Sequence, residues 1–220
     1  MKILVTGTSR GIGRAIAEKF LEAGHEVVGV DTEEDVLDRT LWFATGAYQH
    51  IQADICGELP QLENIDILVN NAGVQNSVDD VDINLKGLMK VTEKYGVRPG
   101  IKAIVNIAST SAHNGAEFPA YAASKGGVLA YTKNVAQRVA QYGATCNSLS
   151  PGGVITDMNA HIINNPELWS QVVQEALLPK WATAEEIAEW VYFVAVVNKS
   201  MTGQDIIIDN GELSKFNFVW

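Results

Sequence analysis

A glycine turn close to the start constrains this chain more than any other feature. Lys2–Thr6 (KILVT) is a short apolar run rich in branched residues, as a buried strand requires. Thr6-Gly7-Thr8-Ser9-Arg10-Gly11-Ile12-Gly13 follows it. Ile12, Ile16, Ala17, Phe20 and Ala23 then share one helical face until Gly24 stops the pattern. A chain that turns through glycines from strand into helix brings its backbone close to an anion. The helix N-terminus adds free N–H groups and a partial positive charge. The strand before and the helix after distinguish a phosphate cradle from glycines that merely shape a tight turn. Gly7, Ser9, Arg10, Gly11, Ile12 and Gly13 are therefore candidate pyrophosphate contacts.

Strand-length apolar runs continue to alternate with helical patterns. Glu26–Val30, His50–Ala53, Asp66–Asn70, Lys102–Ile107, Thr145–Ser150 and Gln204–Asp209 read as six further strands, and Ala120–Tyr142 as one long helix. Strands that are apolar along most of their length, rather than alternating, suit a parallel sheet covered on both faces. The alternation predicts an α/β fold: a doubly wound, seven-stranded parallel sheet with helices on both faces. No Pro/Ser-rich linker, internal repeat or low-complexity tract divides the chain, so residues 1–220 are expected to form a single domain.

Composition excludes several partners. Of 220 residues, 47% are hydrophobic and 19% charged, which suits a large core, and the net charge of −10 repels phosphate backbones, so no nucleic-acid partner is expected. The two cysteines, Cys56 and Cys146, form no CxxC pair, so neither a metal site nor a disulfide framework is indicated. There is no signal-peptide pattern and no apolar run of membrane-spanning length, which predicts no membrane association and a cytoplasmic location.

The glycine spacing is GxxxGxG, and from this point the chain resembles the short-chain dehydrogenase/reductase family over nearly its whole length. The resemblance implies a nicotinamide dinucleotide in the Rossmann manner. Asp31, 18 residues after Gly13, ends the second strand, where a carboxylate accepts hydrogen bonds from the adenosine ribose hydroxyls and repels a 2′-phosphate. That favours NAD. Arg10, inside the turn, is able to pair with a 2′-phosphate and keeps NADP as the alternative. Family likeness also assigns Asp54 and the Ile55 N–H to adenine, and the Asn71-Ala72-Gly73 backbone to the ribose, with Asn70 supporting the sheet.

Tyr121 and Lys125 stand at i and i+4 on the long helix, so they share a face. A free phenol has a pKa near 10, and a neighbouring ammonium stabilises the phenolate, which makes tyrosine a usable general acid or base. An exposed surface Tyr–Lys pair is the plain alternative. Ser109, 12 residues before Tyr121 and just past the fifth strand, resembles the family serine that polarises the substrate carbonyl, and Ser111 is its alternative. Asn84 matches the asparagine whose backbone carbonyl holds a proton-relay water. Pro151, Gly152, Val154 and Thr156 match the turn that orients the nicotinamide carboxamide. The resemblance implies hydride transfer between the cofactor and a secondary alcohol or ketone as small-molecule substrate, in a homodimer or homotetramer. An NADPH-dependent 3-oxoacyl thioester reductase and a non-catalytic cofactor-binding regulator are the other readings.

Two stretches depart from the pattern or extend it. The link from Gly73 to Asn84 is short by about a helix for a full crossover, which predicts a shortened helix before Asn84 and a more open site. Asp157–Leu178 is expected to form a mobile lid, within a substrate segment of about residues 157–182, with Met158, His161, Ile162, Trp169 and Trp181 as pocket candidates. His113 and Phe118 precede Tyr121 and are further candidates for substrate contact.

Overall fold

The apolar runs become strands because alternate side chains enter two different cores. A computed structural model describes residues 1–34, 46–116 and 118–216. Strands β1 (Lys2–Thr6), β2 (Glu26–Asp31), β3 (Tyr48–Gln52), β4 (Ile67–Asn70), β5 (Ala103–Ile107) and β6 (Thr145–Pro151) are joined late in the chain by β9 (Asp205–Ile208). They form a seven-stranded sheet in the order β3-β2-β1-β4-β5-β6-β9, and every neighbouring pair is parallel. This is the expected doubly wound sheet. Two short strands, β7 (Val154–Ile155) and β8 (Ala182–Thr183), pair separately.

Ile3 and Val5 of β1, and Ile67 and Val69 of β4, pack with Ile16 and Phe20 of α1 (Gly11–Glu22) and with Ile187 and Val191 of α7 (Ala184–Tyr192). Leu4 and Leu68, pointing the other way, pack with Val91 and Tyr95 and with Val135 and Val139 of α4 (Pro119–Val139). Both faces of the sheet are thus buried, which explains strands without polar alternation. The helix before β5 is continuous from Asp80 to Gly96. Its middle, α2 (Leu88–Val91), is flanked by π-helical turns over Asp82–Gly87 and Thr92–Gly96. Residues 71–79 form no helix, and the crossover helix starts four residues before Asn84.

Most boundaries differ from the sequence reading by a residue or a few, and two of the differences have a clear cause. β3 begins at Tyr48 rather than His50, because buried Tyr48 pairs with Val27. The long helix ends at Val139, and Ala140–Tyr142 tightens into a 3-10 turn closed by left-handed Gly143. Residues 157–182 hold α5 (Ala160–Ile163) and α6 (Pro166–Val172), and α3 (Ser111–Asn114) precedes α4. No helix among the described residues is long and apolar enough to cross a membrane.

Candidate active site

The loops after the carboxyl ends of β1, β2, β3, β4, β5 and β6 converge on one cleft of ≈ 460 Å³. It lies where the strand order reverses between β1 and β4, the usual ligand crevice of open α/β sheets. Gly7, Arg10, Gly11, Ile12, Asp31, Asp54, Ile55, Asn71, Ala72 and Gly73 line it, as do Ser109, Ser111, Tyr121, Lys125, Pro151, Gly152, Val154 and Thr156. The sequence-predicted residues are therefore brought together from seven segments. Ser9, Gly13 and Asn84 stand behind the cleft wall instead: all three are buried, and none lines the cavity.

The glycine turn is built by what glycine lacks. Gly7 has φ +74°, and a Cβ there would meet Ala72 Cα at 2.9 Å. A Cβ on Gly13 would come 1.9 Å from the Gly7 carbonyl oxygen, so only glycine lets α1 pack this close to the end of β1. Thr6 Oγ1 accepts from the backbone N–H of Asn71 (3.0 Å) and Ala72 (3.1 Å), and Asn71 Nδ2 donates to the carbonyls of Thr6 (3.0 Å) and Gly7 (3.1 Å). These bonds tie the turn after β1 to the turn after β4.

At the β2 end, Asp31 Oδ2 accepts from the Ser9 N–H at 2.8 Å and Oδ1 from the Glu33 N–H at 3.0 Å. Each carboxylate oxygen keeps capacity for a further donor. Glu33 lines the same end of the cleft, so a second acid stands near Asp31. Asp54 Oδ1 accepts from the Cys56 N–H at 2.8 Å, and Lys90 Nζ donates to the Cys56 carbonyl at 2.9 Å, which fixes this loop on the crossover helix.

At the other end, α4 carries Tyr121 and Lys125 on the face turned to the cleft, and Pro119 at its first turn suits a helix start. Lys125 is 5% exposed. Its Nζ donates to the Ile107 carbonyl at 2.9 Å and lies 5.7 Å from the Tyr121 ring centroid. Burial pushes its pKa down to about 8, against the opposing field of the Asp80 carboxylate. Ser109 and Ser111 lie together: their hydroxyls are 3.3 Å apart, and the Ser111 N–H donates to Ser109 Oγ at 3.2 Å. Asn84 is fully buried, with its amide clamped on Val74 (Val74 N–H to Oδ1 2.8 Å, Nδ2 to Val74 carbonyl 2.8 Å) and donating to Ser124 Oγ at 3.2 Å. It sits in the first π-helical turn, a backbone irregularity frequent at functional sites. Asn70 donates to Thr92 Oγ1 (2.9 Å) and Asn106 Oδ1 (2.8 Å), and so braces β4 against β5 and the crossover helix.

Met158, Ile162 and Trp181 line the cleft, whereas His161 and Trp169 do not. Trp169 packs edge-on against Trp181 at 5.3 Å and holds it from behind. Trp181 lies over Gly153, where a Cβ would come 2.3 Å from the indole. His113 turns away from the cleft and pairs through Nε2 with Asp205 Oδ2 at 2.8 Å, a link from α3 to β9, and Phe118 caps α4 outside the cavity. Neither residue lines the cleft.

Sequence reasoning missed Glu33, Glu175 and Glu212 as lining residues. Glu212 comes from the segment after β9, and its Oε2 would lie 2.8 Å from a Cβ on Gly152. No local pattern marks it, because its partner is 60 residues away in the chain.

The chain is similar to known oxidoreductases along nearly its whole length. A family model described as enoyl-(acyl carrier protein) reductase matches residues 7–212. The chain is 32% identical to 2-(R)-hydroxypropyl-CoM dehydrogenase of Xanthobacter autotrophicus, over 94% of this chain and 93% of that one. It is 31% identical to the 3-oxoacyl-[acyl-carrier-protein] reductase FabG of Staphylococcus epidermidis, over 94% and 97%. Among solved structures, a 4-hydroxyisoleucine dehydrogenase mutant complexed with NADH and succinate superposes with TM-score 0.82 at 25% identity, over 99% and 100% of the two chains. A putative 2-deoxy-D-gluconate 3-dehydrogenase of Agrobacterium tumefaciens with bound NADP gives TM-score 0.82 at 27% identity, over 97% and 96%.

Proposed function

The chain belongs to the short-chain dehydrogenase/reductase family, and on that premise we propose that it is an NAD-dependent oxidoreductase acting on a secondary alcohol or its ketone, with Tyr121 as general acid/base. The observation that carries the reading is the buried Lys125 ammonium, anchored on the Ile107 carbonyl beside the Tyr121 ring, in the same cleft as the Ser109–Ser111 pair.

The residues fit a nicotinamide dinucleotide. The glycines after β1 let the turn pack tightly against α1 and the loop after β4, so that its backbone lines the cleft at the N-terminus of α1. Gly7, Ser9, Arg10, Gly11, Ile12 and Gly13 would form the pyrophosphate turn, Asp31 would hold the adenosine ribose, and Asp54 and Ile55 the adenine. Asn71, Ala72 and Gly73 would support the ribose, and Pro151, Gly152, Val154 and Thr156 the nicotinamide end. When bound, the cofactor supplies a hydride donor or acceptor. The second acid, Glu33, beside Asp31 adds to the repulsion of a 2′-phosphate and supports NAD over NADP, with Arg10 the one cation among the described residues at this end that favours the phosphate.

The chain's own residues handle the proton. In the reducing direction, Tyr121 Oη gives its proton to the substrate oxygen as negative charge develops there. In the oxidising direction, the phenolate removes the hydroxyl proton. The Lys125 ammonium stabilises that phenolate, and two of its three donors remain free of the Ile107 carbonyl for the cofactor ribose. Ser109 Oγ donates to the substrate oxygen, and Ser111, within hydrogen-bond reach of it, orients that hydroxyl. Asn84 holds the wall behind Lys125 and supports the proton path. Met158, Ile162, Val172 and Trp181 supply an apolar surface for the substrate under a lid over about residues 157–182. We extend the reading to a homodimer or homotetramer, for which exposed Trp190 and Phe193 at the end of α7 offer apolar surface. A 3-oxoacyl thioester reductase is the second reading, and likeness to the staphylococcal reductase favours it.

The test is Tyr121→Phe, compared with the parent on a panel of alcohols, ketones and acyl thioesters, using NAD(H) and NADP(H). The parent is expected to turn over with NAD(H) preferred, and the variant to lose at least about 10²-fold in kcat while still binding cofactor. A variant that keeps full activity, or a parent that binds cofactor and turns over nothing on the whole panel, defeats the reading.

A further inference from the structure

Behind the cleft wall, His113, Ser148, Ser150 and Asp205 form a polar cluster that the chemistry above does not use. We propose that His113 is a positioning residue for Ser109: it fastens the far end of α3, the short helix that follows the serine, to the last strand of the sheet. That role presupposes the reading of Ser109 given above, and the fastening of the helix does not.

Asp205 of β9 is the anchor, and it lies opposite Ser148 in the register of β6 and β9. Ser148 Oγ donates to Asp205 Oδ1 at 2.6 Å, and Ser150 Oγ donates to the same oxygen at 3.0 Å. Both serines are buried. An ionised carboxylate only accepts, so His113 Nε2 carries the hydrogen of its 2.8 Å contact with Asp205 Oδ2. Ser150 Oγ lies 3.3 Å from the same nitrogen. Serine, histidine and aspartate are the residue types of a hydrolytic triad. Such a triad needs one ring nitrogen for the serine and the other for the carboxylate, whereas here both meet Nε2 and Ser150 is closed to solvent. The cluster holds rather than reacts.

What it holds is the stretch that carries the serine. The Ala108 N–H donates to the Leu149 carbonyl at 2.7 Å and the Thr110 N–H to the Pro151 carbonyl at 3.0 Å, which fixes the start of the stretch on β6. Beyond Thr110 the bonds turn inward. The N–H groups of Ala112, His113 and Gly115 donate to the carbonyls of Ser109, Thr110 and Ser111, at 3.0, 2.9 and 3.0 Å. Ser109 and Ser111 bond each other, and Asn114 Oδ1 accepts from the Ala116 N–H at 2.9 Å. Among residues 108–116, all of them described, His113 is the one side chain whose hydrogen bonds reach another element. A helix of four residues does not hold itself together, and left-handed Gly115 ends this one. Ser109, Thr110, Ser111 and Asn114 meanwhile line the cleft. Without His113, α3 is fastened at its start alone, and Ser109 Oγ, which accepts from the Ser111 N–H at 3.2 Å, follows the movement of the helix.

A double-mutant cycle and hydrogen exchange test the proposal together. His113→Leu removes the donor to Asp205, and His113→Gln keeps an N–H at similar reach. His113→Leu is expected to lower kcat roughly three- to tenfold, as the loss of a hydrogen bond to a charged group does, with the NADH Kd, read by fluorescence, unchanged. His113→Gln is expected to recover most of that loss. In a Ser109→Ala background the same His113→Leu change is expected to alter kcat by less than about twofold, because the residue through which it acts is already gone. Peptides covering residues 108–116 are expected to exchange amide hydrogens faster in His113→Leu than in the parent, and at the parental rate in His113→Gln. Where His113→Leu does not fold, His113→Ala carries the comparison. An equal loss of kcat in both backgrounds makes His113 a plain structural residue and overturns the proposal, as does unchanged exchange over 108–116. A parent without turnover whose exchange over 108–116 still responds to His113 refutes the functional reading and upholds the anchor.

Discussion

At the scale of single residues, most of the residues that line the cleft were readable and those that support them were not. Tyr121 and Lys125 announce themselves by a four-residue spacing, and Gly7 and Gly13 by their place between strand and helix. Glu33 and Glu212 carry no such signal, because each reaches the cleft only through folding. The serine shows the same limit. Spacing left Ser109 and Ser111 as rivals, and the structure joins them by two hydrogen bonds, with Ser109 Oγ accepting from the Ser111 N–H. That arrangement gives them unequal roles. Ser109→Ala should cost about 10²- to 10³-fold in kcat, as the loss of one oxyanion donor does elsewhere. Ser111→Ala keeps the backbone N–H that holds Ser109 and should cost about tenfold or less. Steady-state kinetics of the two variants decides it, and a larger loss at Ser111 would reverse the assignment.

At the scale of elements, sequence periodicity found every strand of the large sheet but placed their ends less well. Strand ends and helix ends are set by neighbours: Tyr48 joins β3 because Val27 lies beside it, and α4 stops where the chain tightens towards Gly143. The π-helical turns around Asn84 were invisible, since no local pattern specifies a widened turn. α7 shows an end that residues do dictate. Thr183 accepts from the Glu186 N–H and Glu186 from the Thr183 N–H, a complete capping box. Thr183→Ala should destabilise the protein by about 1 kcal/mol. Because α7 packs on α1 and the sheet, away from the cleft, that loss should appear as a lower urea midpoint with unchanged KM for the cofactor. A raised KM would mean that α7 reaches the site.

At the scale of the whole molecule, Lys125 links the active site to global stability. Its pKa falls from the ordinary 10.5 to about 8 on folding, so the folded state binds fewer protons between those values. The lysine's burial cost is full below pH 8 and fades as pH rises to 10.5. On the order of 3 kcal/mol is involved, counting about 1.4 kcal/mol per pKa unit. Cys146, which burial pushes up to about 12, acts in the opposite sense above its ordinary 9.0, so the lysine effect must be read as a difference. In urea unfolding, the parent should gain on Lys125→Met as pH is raised from 8 to 10.5. A difference between them that ignores pH would show that the lysine's charge is not buried at a cost. A last consequence concerns the Thr6 hydroxyl, which gathers the N–H groups of Asn71 and Ala72 while Asn71 holds the carbonyls of Thr6 and Gly7. Two turns separated by more than sixty residues of chain are thereby one solid piece before any ligand arrives. A cofactor meeting such a surface forfeits little freedom on the protein's side. Its affinity is then set by what it touches.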